Sequence, residues 1–351
     1  MKTLLVTMDF PPLLGGIANY YFNRVKKMPV DEVVVLMNKI ENYKNIKLNN
    51  KIYFKKFFIK YFWPRWIILI WHIYRIAKKE KIQKIWVGQI LPVGAAVWIV
   101  CKFLNLFNKK ISFFVTCHGN DLLRAEKNIR KFKLAKKILN SAEHIETNTE
   151  FTKNILINKY KINNKKIKIA YPENTLKKEM VDENKIKKLK EKYSLADKKV
   201  LITVARLVES KGIDQVLRAL PKVWKEIPDL VYLVVGDGDF SDQLLVISNQ
   251  INPEKDKIIF VGPVPHLELP NYYALADVFI LTPRKNPTGD TESFGIVYLE
   301  AQEFGLPIIA GDTGGIREIC RNRAAPCSDF IFVDSEDINQ IAEKIIKLLK
   351  S

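Results

Sequence analysis

A chain of 351 residues is too long for one ordinary hydrophobic core and fits two domains of about 170 residues each. Hydrophobic residues make up 48% and charged residues 27%, which is the make-up of a globular protein with ample core material and excludes a disordered chain. The net charge of +19 is uneven: residues 1–176 carry 33 Lys and Arg against 11 Asp and Glu, a net +22, whereas residues 177–351 carry 24 against 27, a net −3. A basic half joined to a near-neutral half points to a polyanionic partner, either nucleic acid or an anionic membrane surface.

The first apolar run, Leu4 to Met8, is too short for a signal peptide and meets Pro11-Pro12 at once, so it reads as a strand. Gly15-Gly16-Ile17 then opens a helix. Strand, Gly-Gly loop and helix together let backbone approach a phosphate or a sugar, although no GxGxxG fingerprint is present. Val33 to Met37 is a second strand. Residues 52–79 are dense in aromatics, and Lys and Arg interrupt every apolar run before the length needed to span a bilayer. Trp and Tyr flanked by cations suit a membrane interface; the alternative is that Trp66 to Ala77 is a core helix under the sheet.

Lys84 to Gly88 reads as a strand, Val93 to Phe107 as an apolar helix, and Ile111 to Thr116 as another strand. That strand ends in Cys117-His118-Gly119-Asn120-Asp121, a polar cluster at the place where open α/β sheets bind ligands. His118 is either a structural histidine or one facing a substrate. Residues 143–148 and 167–171 read as the last strands of the first half, Pro172-Glu173-Asn174 as a hinge, and Lys177 to Tyr193 as a charged helix. The expected boundary puts one domain at 1–173 and the other at 174–351. The four cysteines, Cys101, Cys117, Cys320 and Cys327, have no CxxC or Cys/His ligand spacing and read as reduced thiols of a cytosolic protein.

In the second half, strands are expected at 200–205, 231–235, 258–261, 278–282 and 307–310. Helices are expected at 213–219, 240–250, 268–275 and 337–350. Repeated βαβ units on both sides of a hinge imply two doubly wound domains facing a cleft. Arg206 follows the first of these strands, and Lys211-Gly212 opens the next helix, so two cations at one βα turn suit a diphosphate. Asp237 and Asp239 form a D-x-D, but at the end of a Val-Val-Gly strand turn chemistry explains them better than metal binding.

The stretch Thr291 to Pro307, TESFGIVYLEAQEFGLP, with the loop PRKNPTGD before it, carries the densest signal. Glu292 and Glu300 are eight positions apart, which overshoots two helical turns by roughly 80°, so they do not stack on one regular face. A helix that starts near Gly295 leaves Glu292 in the preceding loop and Glu300 a turn or more inside. Its N-terminus offers free N–H groups to an anion, with a carboxylate on either side to accept from sugar hydroxyls. An ordinary amphipathic helix with two glutamates is the competing reading.

Taken together, Asp9-Phe10-Pro11-Pro12 with Gly15-Gly16-Ile17, His118-Gly119, Arg206 with Lys211-Gly212, Glu292 to Ala301 and Gly314-Gly315 resemble the retaining glycosyltransferases of family four, over essentially the whole chain. The likeness is greatest to GDP-mannose-dependent phosphatidylinositol mannosyltransferases and similar α-mannosyltransferases, and strongest in Gly295 to Gly311. The resemblance implies the GT-B fold and transfer of a hexose from a nucleotide-diphosphate donor, with mannose from GDP-mannose first and UDP-sugars second. It implies a lipid or lipid-linked acceptor on the cytosolic face of the membrane, to which the basic first domain attaches peripherally, and no nucleic acid partner. Arg206 and Lys211 would bind the diphosphate, and the Gly295-Ile296-Val297 backbone the distal phosphate. Glu292 would hold the sugar's hydroxyls and Glu300 those of the ribose, with Ser293 and Phe294 in the same turn. His118 would face the sugar, Gly15-Gly16 would let the first domain close over the donor, and Val264 would lie beside the base. His118, Arg206, Lys211 and Glu292 form the expected catalytic set, with no cofactor and no metal. Family members usually continue past the equivalent of 337–350 with a helix that crosses back onto the first domain, so here either that crossover is absent or the last helix serves.

Two other classes are open to test. A non-catalytic nucleotide or nucleic-acid binding protein would show salt-sensitive RNA binding, although no RNA-recognition motif is visible. An NAD-dependent oxidoreductase would need GxGxxG after a first strand, which neither half has.

Overall fold

The structure is a computed structural model that describes all residues except 14, 40–47, 62, 108–109, 253–255, 286–290, 322–329 and 351, with backbone alone at Cys320 and Arg321. Cys327 and part of the loop before Thr291 therefore lie outside the described residues. The chain divides into two compact units, Met1–Pro172 and Glu173–Ser351.

The first unit runs β1 (Thr3–Thr7), α1 (Gly16–Lys26), β2 (Val33–Asn38), β3 (Lys51–Lys55), α2 (Ile67–Lys79), β4 (Lys84–Val87), α3 (Val93–Leu106), β5 (Ser112–Cys117), α4 (Asn120–Glu126), α5 (Ile129–Ser141), β6 (Ile145–Thr147), α6 (Glu150–Asn158) and β7 (Ile167–Ile169). Its seven strands are parallel in the order β3-β2-β1-β4-β5-β6-β7. A parallel sheet is covered on both faces, so its strands are apolar at every position rather than at alternate ones. The period of two still sorts them: Leu4, Val6, Val34 and Leu36 pack into one core, and Leu5, Val33, Val35 and Met37 into the other.

The second unit runs α7 (Glu183–Lys192), β8 (Lys199–Val204), α8 (Ile213–Glu226), β9 (Leu230–Val235), α9 (Ser241–Ile251), β10 (Ile258–Gly262), α10 (Leu269–Tyr273), β11 (Val278–Leu281), α11 (Ile296–Glu303), β12 (Ile308–Gly311), α12 (Arg317–Arg321), β13 (Phe330–Val333) and α13 (Ile338–Lys350). Six parallel strands lie in the order β10-β9-β8-β11-β12-β13. The order reverses between β8 and β11, and between β1 and β4 in the first unit. Such switch points open a crevice at the carboxyl ends of the strands.

Three sequence expectations shift. The charged helix begins at Glu183 rather than Lys177, because the Asp182 carboxylate accepts from the N–H groups of Asn184 and Lys185 and caps it there, while Lys178–Met180 is a single 3-10 turn. The helix expected to end at Ala219 continues to Glu226 through Pro221, its apolar side buried at Val216, Leu217, Leu220 and Val223. Residues 52–79 split into β3, a loop and α2, and α2 buries Leu69, Ile73, Ile76 and Ala77 while Trp71 stays exposed.

Candidate active site

Within the second unit, the loops that follow β8 and β11 meet at the switch point. Lys211 ends the first loop and its ammonium pairs with the Glu292 carboxylate in the second. Two glycines make this approach possible. Gly212 sits at φ +68, and a Cβ there would lie 1.9 Å from the carbonyl oxygen of Thr282. Gly314 sits at φ +62, and a Cβ there would lie 1.8 Å from the carbonyl oxygen of Glu292. Any side chain at either position must push the Lys211 or Glu292 backbone away. The Gly315 N–H donates to that same Glu292 carbonyl at 3.1 Å, and the Thr291 and Thr313 hydroxyls lie 2.8 Å apart. Arg284 ties the Lys211 loop to the end of β11: its N–H donates to the Ser210 carbonyl at 2.9 Å and its guanidinium to Asp214 at 3.1 Å.

Glu292 stands in the loop and α11 begins after Gly295, as the eight-residue spacing implied. Gly295 is left-handed (φ 80), and no side chain caps the helix start, so the N–H groups of Ile296 and Val297 are available to an anion with the positive end of the helix dipole behind them. The Tyr298 ring packs against Gly295 and its hydroxyl donates to the Leu281 carbonyl at 2.9 Å, fixing the first turn to β11. Phe294 is buried beside it. The Ser293 hydroxyl is also buried and has no hydrogen-bond partner among the described residues. Arg206, on the Lys211 loop, is exposed and makes no ion pair with a described residue.

Glu300 is 2% exposed, a turn inside α11. It accepts from the Tyr273 hydroxyl at 2.7 Å, and its other oxygen lies 3.8 Å from Nδ1 of His266, whose Nε2 lies 3.1 Å from the Thr175 hydroxyl. Burial pushes the carboxyl up to about 7, against the opposing Tyr273 hydrogen bond. Val264, half-buried after β10, has other neighbours: it lines a shallow groove with Val261, Tyr193, Tyr272 and Lys188. The D-x-D is a turn, in which Asp237 accepts from the Gly238 N–H at 2.8 Å and the Ser241 hydroxyl at 3.1 Å. Among the described residues no group of three or more His, Cys, Asp or Glu is placed to hold a metal ion.

In the first unit, Gly15 and Gly16 are exposed at the start of α1, and among the described residues nothing crowds Gly15. His118 caps the end of β5 and is buried, its Nε2 2.7 Å from the Tyr21 hydroxyl. That hydroxyl also contacts the Gly88 carbonyl at 2.6 Å. A carbonyl only accepts, so Tyr21 donates to Gly88 and accepts from Nε2–H, which leaves Nδ1 of His118 unprotonated. Burial, then the Arg24 charge, lowers the imidazole to about 4, so it is neutral at physiological pH. Asp121 turns back to accept from the His118 and Leu122 N–H groups at 3.1 and 3.0 Å, and burial raises its carboxyl to about 6.

The residues that the sequence reading missed are mostly supports. Tyr21, Arg284, Tyr273 and His266 belong to no motif, and each is placed by tertiary contacts. Arg284 alone had a signal, as a cation just before the acidic motif. Arg24, paired with Glu146 through both guanidinium nitrogens and 4.6 Å over the Trp86 ring, lay in a helix with no pattern to single it out.

Residues 14–172 match glycosyltransferase family 4, and residues 185–351 match the glycosyl transferases group 1. The chain belongs to the family 4 glycosyltransferases. It is 34% identical over 163 residues to a GDP-mannose-dependent alpha-(1-6)-phosphatidylinositol monomannoside mannosyltransferase of Mycolicibacterium smegmatis, a match that takes in 46% of this chain and only 41% of that relative. It is 25% identical to a GDP-mannose-dependent monoacylated alpha-(1-6)-phosphatidylinositol monomannoside mannosyltransferase of Corynebacterium glutamicum, over 99% of this chain and 88% of the relative. Among solved structures, Anabaena Alr3699/HepE in complex with UDP and glucose superposes with a TM-score of 0.79 at 17% identity, covering 100% of this chain and 90% of that one. Sucrose-phosphate synthase from Thermosynechococcus elongatus gives 0.76 at 18%, covering 100% and 90%. At those identities the likeness establishes the fold: two Rossmann-like units of the GT-B glycosyltransferase type.

Proposed function

We propose that this glycosyltransferase moves a hexose from a nucleotide-diphosphate sugar to a lipid or lipid-linked acceptor at the cytosolic face of a membrane, retaining anomeric configuration without a metal ion. Mannose from GDP-mannose is the first candidate, in line with the named activities of the mycolicibacterial and corynebacterial relatives, and a UDP-sugar the second. The observation that carries the reading is the Lys211–Glu292 pair beside the uncapped start of α11, with the buried Ser293 hydroxyl next to it and unpartnered among the described residues.

In this reading Lys211 and Arg206 take the charge that develops on the departing diphosphate, and the N–H groups of Ile296 and Val297 hold its distal phosphate. Two cations and a helix start then do what a divalent ion does elsewhere. Glu292, released by Lys211, accepts from the sugar's hydroxyls, and Glu300 from the ribose. In the first unit, His118 offers a neutral acceptor, at Nδ1 or at its backbone carbonyl.

The test is a metal-free thermal-shift panel of GDP, UDP and ADP with their sugar conjugates. A ligand at 100 times its dissociation constant adds about 2.7 kcal/mol, so the right nucleotide family should raise the melting temperature visibly. No shift with any of them would overturn the donor site.

A further inference from the structure

Little within its own loop fixes the Lys211 ammonium. Glu209–Lys211 is a single 3-10 turn, and the glycine after it sits at φ +68 with no side chain to pack. Lysine itself is a point charge on a flexible four-carbon stem. The placing has to come from outside the turn, and the segment that follows β11 supplies it. The Thr282 hydroxyl donates to the Gly212 carbonyl at 3.1 Å, and the Arg284 N–H to the Ser210 carbonyl at 2.9 Å. The Arg284 guanidinium then donates to Asp214, in the first turn of α8, at 3.1 Å. The chain is thus held on both sides of Lys211 by Thr282 and Arg284. Between them, Pro283 is fastened in turn by the Ser335 hydroxyl, which donates to its carbonyl at 2.8 Å.

The guanidinium also engages carboxylates that would compete for Lys211. Its three nitrogens face three different acids: Nη1 lies 3.1 Å from Asp214, Nη2 3.7 Å from Glu209 and Nε 3.6 Å from Glu336. The pair with Asp214 is mostly buried, whereas the side chains of Glu209 and Glu336 are 50% and 61% exposed and add little stability. Their value is in what they leave undone. Asp214 follows Lys211 by three positions, a spacing at which opposite charges meet on a helical turn, and Glu209 opens the 3-10 turn that Lys211 closes. With Arg284 on both acids, Lys211 pairs across the two loops with Glu292 instead. A lysine at 284 would face one carboxylate at a time, because it lacks the planar fork.

We infer that Arg284 is a positioning residue for Lys211: its guanidinium holds Asp214 and engages Glu209, and so keeps the Lys211 ammonium at Glu292. That this ammonium then meets a diphosphate rests on the proposed function. Its placing does not, and the two are measured separately.

The first measurement uses no ligand. Arg284→Gln keeps the N–H bond to Ser210 and removes the fork; Arg284→Lys keeps the charge as well, which guards against a variant that does not fold. Each full-length protein is acetylated briefly with an N-hydroxysuccinimide ester, and the modified lysines are quantified by peptide mass spectrometry. Lys211, 23% exposed and paired in the parent, should react several-fold faster in both variants, while the more exposed Lys222 should not change. Calorimetric titration then compares GDP, UDP and ADP, each with its nucleoside. The diphosphate that binds the parent should lose about tenfold in affinity in Arg284→Gln, the worth of one charge-assisted hydrogen bond, with its nucleoside changed by less than about twofold. In a Lys211→Ala background Arg284→Gln should cost no further affinity, because it acts through Lys211. Parent-like acetylation of Lys211 in both folded variants would overturn the inference whatever nucleotide binds. So would equal losses for nucleotide and nucleoside, or a loss from Arg284→Gln that persists in full without Lys211. If the parent binds none of the three nucleotides, the donor reading falls and acetylation alone decides the positioning.

Discussion

Glu300→Gln separates electrostatics from packing at the most buried carboxylate of the site. Burial holds the Glu300 proton up to about 7, against an ordinary 4.5. Below pH 4.5 the group is protonated both folded and unfolded and has no effect on the balance. Between 4.5 and 7 the unfolded chain ionises and the folded one does not, so stability falls as pH rises; above 7 both are ionised and the loss is complete. The displacement corresponds to about 3 kcal/mol. Gln keeps the volume and an oxygen for the Tyr273 hydroxyl but cannot ionise. Urea unfolding of both proteins from pH 4.5 to 8 should therefore give a difference curve that climbs by about 3 kcal/mol in favour of the variant and then flattens. His266 faces the same carboxyl and is itself held below its ordinary value by burial, so the climb should survive in a His266→Asn background. A flat difference curve would refute the desolvation argument. The ligand should show the opposite sign: an ionised carboxylate is the better acceptor for ribose hydroxyls, so nucleotide affinity should rise between pH 6 and 8 in the parent and stay level in the variant.

Lys211→Ala should lower kcat by about 10²–10³-fold with the fold intact, the usual cost of removing one charge-stabilising group; near-parental turnover would remove Lys211 from the diphosphate site. Gly314→Ala places a carbon against the Glu292 carbonyl at a left-handed position, a strain of at least about 1 kcal/mol, and should lower the melting temperature while moving Glu292 enough to cost most of the activity; a fully active variant would show that Glu292 tolerates displacement. Turnover should be unchanged by EDTA, whereas a strong loss would bring Asp237 and Asp239 back as metal ligands.

Most of the fold was legible because its strands are continuous runs of Val, Ile and Leu, such as Val33 to Met37 and Leu230 to Val235, which only a covered parallel sheet explains. β3 was not: Lys51–Lys55 alternates lysines with aromatics at the edge of the sheet and merged with the aromatic stretch that follows. α5 was missed as well, its buried Ala135, Ile138 and Leu139 scattered among lysines. In the site, the Gly295 helix start and the placing of Glu292 before it could be read from spacing, because a left-handed glycine followed by Ile-Val-Tyr-Leu leaves few alternatives. The partners could not. That Glu300 faces Tyr273 and His266, or that His118 leans on Tyr21, depends on crossings between elements tens of residues apart, and local pattern holds no record of them.

The Lys211–Glu292 pair has a further consequence for the order of events. Before a donor arrives Lys211 and Glu292 satisfy each other, so neither of these two charges is bare, while Arg206 stays exposed. On the proposed reading, a ligand that brings only a diphosphate would take Lys211 and strand Glu292 half-buried and unpaired, which carries a desolvation cost. A ligand that brings both diphosphate and sugar offers each group a new partner. On the proposed reading, intact donor would be favoured over the nucleotide left after transfer, and re-forming the pair would help expel the spent nucleotide. One exchange of partners would serve as both the entry check and the release step of the catalytic cycle.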